Sequence, residues 1–66
     1  MNVTVNDVPL TLPEGATLAD ALAGRNLPAS GVATAVNGSV VPAASRAGHI
    51  LAAGDKIVII KAFYGG

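Results

Sequence analysis

The residues able to do chemistry in this chain are few, and they gather at its carboxyl end, Phe63-Tyr64-Gly65-Gly66. The Gly66 carboxylate is ionised at neutral pH, so it is a poor electrophile until something activates it. Glycine lacks Cβ, which lets its backbone approach other groups closely and adopt positive φ. A Gly65-Gly66 tail can therefore thread a narrow channel that a bulkier residue would block. Little else in the sequence competes with it. His49 is the only histidine, and no second ligand or nucleophile is spaced to pair with it, so it reads as a surface or loop residue. Asp7, Glu14, Asp20 and Asp55 are scattered between turns and a helix start, where carboxylates have structural uses. There is no cysteine and no catalytic pair. No side-chain machinery for catalysis is legible, so an enzyme is not expected.

The elements that must hold this tail are packed into 66 residues, room for one domain spanning positions 1–66. A chain of this length buries only ~60% of the surface its unfolded form exposes. Without disulfides or a metal cluster, its stability has to come from packing. Hydrophobic residues are 52% of the chain, much of that alanine, with one Phe and one Tyr. Four Lys and Arg balance four Asp and Glu. That balance provides neither a basic face for nucleic acid nor a polybasic membrane anchor. The start Met1-Asn2-Val3-Thr4-Val5 does not read as a signal peptide. The longest apolar run, Ile57-Val58-Ile59-Ile60, is too short to span a bilayer, so a soluble cytoplasmic protein is expected.

Met1, Val3 and Val5 alternate with Asn2, Thr4 and Asn6, the period of a half-buried strand. After the turn signal Asn6-Asp7, Val8, Leu10 and Leu12 alternate with Pro9, Thr11 and Pro13, predicting an edge strand short of ladder donors. Thr17 followed by Asp20 resembles a capping box, and Leu18, Ala21 and Leu22 form one apolar stripe. These predict a helix from about Leu18 to Arg25, ended by a left-handed Gly24 or Asn26 and by Pro28. Val32 to Val36 reads as a strand, Asn37-Gly38 as a hairpin turn, and Ser39-Val40-Val41 as the return strand stopped by Pro42. Ala43 to His49 reads as one helical turn or an ordered loop. Ala53-Gly54-Asp55 is a turn, and Lys56 to Ala62 a last, β-branched strand. The expectation is α+β, with about five strands in a mixed sheet, one main helix on one face and a flexible Gly-Gly tail.

That order resembles the ubiquitin-like β-grasp proteins, and within them the residues look like the ThiS family of sulfur carriers. The resemblance runs through Asn6-Asp7-Val8-Pro9, Thr17-Leu18-Ala19-Asp20-Ala21-Leu22 and Ala35-Val36-Asn37-Gly38-Ser39-Val40-Val41-Pro42. It continues through Leu51, Gly54-Asp55-Lys56-Ile57 and Gly65-Gly66. The stretch Ala43-Ala44-Ser45-Arg46 departs from the pattern, since the family often has a charged residue soon after Val-Pro and an aromatic where Arg46 stands. The resemblance implies that Gly66 is adenylated by an ATP-using ThiF-type enzyme and then thiocarboxylated, with Gly65 threading the tail. It implies sulfur donation to a ThiG-type thiazole synthase in thiamine biosynthesis, with no cofactor bound to the carrier itself. Because the chain lacks cysteine, the persulfide must come from a partner such as a cysteine desulfurase.

Analogy with ubiquitin points Ile57 and Ile59 inward and leaves Val58, Ile60 and Ala62 on the open sheet face, an apolar patch that partners could read. Tyr64 is expected to contact a partner, and Phe63 to be shared between partner and core. Three other functions fit the same features: a carrier for molybdopterin or another sulfur pathway, a protein modifier joined to lysines through Gly66, and a β-grasp binding module.

Overall fold

A computed structural model describes residues 1–25 and 31–61. Five strands, β1 (Asn2–Val5), β2 (Val8–Thr11), β3 (Val32–Val36), β4 (Ser39–Val41) and β5 (Lys56–Lys61), form one mixed sheet in the order β2-β1-β5-β3-β4. The central pair β1–β5 is parallel, whereas β1–β2, β3–β4 and β3–β5 are antiparallel. One helix, α1 (Leu18–Gly24), and a short 3-10 helix (Ala43–Gly48) complete the elements.

Both hairpins turn on two residues with positive φ, the twist that matches paired strands. At the second, Asn37 (φ 51) and Gly38 (φ 86) occupy those positions. At the first they are Asn6 (φ 50) and Asp7 (φ 67), without a glycine. The reason lies in the Asn6 side chain. Strand β1 stops at Val5 opposite Ile57, while β5 runs on to Lys61. The Asn6 amide takes the place of a further β1 residue: Ile59 N–H donates to its Oδ1 (2.8 Å), and its Nδ2 donates to the Ile59 carbonyl (3.2 Å). A glycine there would meet the turn's need but leave Ile59 unpaired on that side.

Strand β2 lies at the sheet edge, as its prolines predict. Pro9 faces Thr4, and the antiparallel alternation puts its missing N–H on the outer side, so no ladder bond is lost. Pro13 falls beyond the strand. Thr17 caps α1 as expected: Asp20 N–H donates to Thr17 Oγ1 (3.3 Å), and Thr17 N–H donates to Asp20 Oδ2 (2.9 Å). Gly24 does not end the helix in a left-handed conformation. It is the last helical residue, packed near Leu10 and Leu12, and Arg25 follows as the cap with φ −100. Asn26 and Pro28, the other expected stops, lie outside the described residues.

The stripe Leu18, Ala21 and Leu22 is buried against the sheet face carrying Val3, Val5, Val36, Val41, Ile57 and Ile59. Each buried side chain of this size is worth about 1.5–3 kcal/mol relative to exposure. The segment after Pro42, expected to be one helical turn or an ordered loop, is the 3-10 helix, and it buries Arg46. The guanidinium replaces its lost hydration with hydrogen bonds, donating from Nε to Thr34 Oγ1 (3.1 Å) and from Nη2 to the Val32 carbonyl (2.7 Å). Thr34, itself buried, donates onward to the Val41 carbonyl (2.8 Å). One polar network thus ties the 3-10 helix to β3 and β4.

Candidate functional site

The last strand leads to the tail, and its two faces differ sharply. Ile57 is fully buried and Ile59 nearly so, both pointing toward α1. Val58 is half-buried and Ile60 is 59% exposed, on the opposite face. Ala62, Phe63, Tyr64, Gly65 and Gly66, the rest of the expected contact and modification residues, lie outside the described residues.

Register widens the exposed surface beyond β5. Ala35 pairs with Val58 on one side and Val40 on the other, while Ala33 pairs with Ile60. These five side chains therefore share the face away from α1, and Val40 is 77% exposed. Val40, Ala33 and Ala35 were not among the residues expected there. The signal for Val40 was partly present, because Asn37-Gly38 fixes the hairpin register that sets it opposite Ala35. Joining that hairpin to β5 needed the pairing of distant strands, which no local pattern carries.

The other titratable groups are occupied with structure. Asp55 accepts from Ala52 N–H at Oδ2 (2.8 Å) and from Asn37 Nδ2 at Oδ1 (3.0 Å), closing the turn before β5. Asp20 serves the helix cap. Glu14 lies 3.7 Å from the Met1 amino group, and Asp7 lies 4.0 Å from Lys56 Nζ with both side chains exposed, a geometry that contributes little. His49 is a half-buried loop residue whose carbonyl accepts from Leu18 N–H (2.9 Å). Among the described residues no group of His, Cys, Asp and Glu could hold a metal ion, and no helix is long and apolar enough to cross a membrane. Chemistry at a side chain of the described residues has no visible machinery, so the tail stays the candidate.

Comparison with known proteins identifies the family. The ThiS family model matches residues 2–66. A crystal structure of the thiamine biosynthesis protein ThiS from Geobacter metallireducens superimposes with a TM-score of 0.82 and 25% identity, covering 100% of both chains. It shares the ubiquitin-like β-grasp layout of a mixed five-stranded sheet and one helix. No curated protein matches by sequence.

Proposed function

The chain belongs to the ThiS family, and on that premise we propose that it is a sulfur carrier of thiamine biosynthesis whose working group is the Gly66 carboxylate. The observation that supports this most is the family match, which runs through the terminal Gly65-Gly66. In this reading an oxygen of the carboxylate attacks the α-phosphorus of ATP on a ThiF-type enzyme, and pyrophosphate leaves. The acyl-adenylate is an electrophile, and a persulfide sulfur displaces AMP from its carbonyl carbon. Cleavage of the resulting sulfur–sulfur bond by a thiol leaves a thiocarboxylate on Gly66. That sulfur is then the nucleophile for thiazole formation on a ThiG-type synthase.

The carrier supplies neither activation nor sulfur. Having no cysteine, it depends on a partner for the persulfide, for which a cysteine desulfurase is the source in this reading. It binds no cofactor of its own; ATP and the sulfur donor are handled by the partner enzymes. The β5 face with Val58 and Ile60 serves as docking surface, Ala62, Phe63 and Tyr64, next in the sequence, add partner contacts, and Gly65 passes through the enzyme's channel. An exposed apolar row leading toward the reactive end fits a substrate that several enzymes must grip in turn.

The test is reconstitution with an adenylating enzyme of this class, ATP and a persulfide source. Adenylation is followed by pyrophosphate release for the intact chain, for a chain lacking Gly66, and for Ile60→Asp. The intact chain should turn over and the deletion should not, while both remain folded. Ile60→Asp should raise KM more than it lowers kcat. Turnover of the deleted chain would overturn the reading. Whether loss of the protein creates a thiazole requirement or a molybdoenzyme defect separates the two carrier pathways.

A further inference from the structure

Asn37-Gly38 has a reactivity that the turn geometry alone does not use. An asparagine side-chain amide followed by glycine is open to attack by the next backbone nitrogen, because glycine carries no side chain to shield it. In the fold, however, both ends of this amide are engaged. Lys56 N–H donates to Asn37 Oδ1 (2.9 Å), and Asn37 Nδ2 donates to Asp55 Oδ1 (3.0 Å). Asn37 N–H donates to the Lys56 carbonyl as well (2.8 Å). Three bonds thus clamp the tip of the β3–β4 hairpin to the start of β5. Asp55 is itself fixed, since its other oxygen accepts from Ala52 N–H.

We propose that Asn37 is a latent deamidation site, held shut by this clamp and exposed to reaction when the hairpin tip opens. The step is balanced with water as the only co-reactant. The Gly38 nitrogen bonds to the Asn37 side-chain carbonyl carbon, and the Nδ2 group leaves as ammonia with the Gly38 N–H proton. Water then opens the cyclic imide at either carbonyl, leaving aspartate or isoaspartate. Ring closure rotates the side chain away from both Asp55 and Lys56, so the two bonds must break first. The aspartate product can accept again from Lys56 N–H but cannot restore the bond to Asp55. It has lost the donor that faced Asp55 and would set a carboxylate against a carboxylate. The isoaspartate product reroutes the backbone through the side-chain carbon and disrupts the two-residue turn. Either product unlocks the beginning of the strand that carries the tail.

The test follows ammonia loss and isoaspartate at Asn37 by peptide mass spectrometry of the full chain aged in mildly alkaline buffer. Samples are kept folded or unfolded in urea. Asn2, Asn6 and Asn26, followed by Val3, Asp7 and Leu27, serve as internal references. Asn37 should be the fastest site in urea and slower by about tenfold or more in the folded chain, because the tip must open first. Asp55→Asn, which replaces the charged acceptor, should speed the reaction in the folded state and leave the urea rate unchanged. Its folding is checked by circular dichroism; should it unfold, Lys56→Pro, which removes the backbone donor to Asn37 along with the weak Lys56–Asp7 ion pair, takes its place. Asn37→Asp, made directly as the product, should melt at a lower temperature than the parent chain. Equal rates folded and unfolded, or no reaction at Asn37 in urea, would overturn the proposal. A clamp variant that ages no faster than the parent would overturn it too.

Discussion

At the scale of single residues, the buried pair Thr34 and Arg46 departs most from what the sequence suggests. In the sequence, Arg46 stands out only as a departure from the family pattern, in a stretch with Ala43, Ala44 and Ser45. In the fold it is 5% exposed and donates to Thr34 Oγ1 and the Val32 carbonyl. Nothing local announces this, because the acceptors come from β3, twelve to fourteen positions earlier. Thr34→Val keeps the shape but removes the hydroxyl that serves both Arg46 and Val41. Urea denaturation should show a loss of about 1–3 kcal/mol, the cost of stranding buried polar groups. A change near zero would mean that the network rearranges. Gly66 is the opposite case. The role proposed for it was suggested by the sequence itself, where the absence of a side chain is the signal.

At the scale of elements, the local devices were legible and their long-range uses were not. The capping box, the apolar helix stripe, the Asn37-Gly38 turn and the β-branched last strand follow from short-range chemistry, and each stands where expected. The Asn6 turn was visible too, but not that its amide would complete a ladder with Ile59, 53 positions away. Asn6→Gly should keep the turn and lose only that pairing, whereas Asn6→Ala loses both. Chemical denaturation should place Gly about 1–2 kcal/mol below the parent and Ala lower still. Exchange of the Ile59 amide should speed up in both. Gly24 was misjudged because helix ends so often use glycine in the left-handed conformation. Here it is helical, and a Cβ would meet Leu10 at an ordinary 3.7 Å. Gly24→Ala should therefore stabilise the protein by about 0.5–1 kcal/mol in the same assay.

At the scale of the whole molecule, a chain this short has about 3–10 kcal/mol of stability to work with. Leu18, fully buried, anchors the helix in the single hydrophobic core. Leu18→Ala should cost about 2–5 kcal/mol, enough to bring a thermal melt close to ambient temperature. Ile60→Asp, on the open face, should shift the same melt little. The proposed docking and the folding are thereby separable: one face of β5 builds the core while the other stays exposed. The alternation of β5 made this division legible. The contribution of Val40 across β4 emerged only from the assembled sheet. The central claim is that the Gly66 carboxylate carries the sulfur. Top-down mass spectrometry of the chain, after incubation with ATP, an adenylating enzyme and a persulfide source, tests it most directly. The account predicts one oxygen replaced by sulfur, confined to the fragment containing Gly66. Sulfur elsewhere, or none with partners shown to be active, would contradict it.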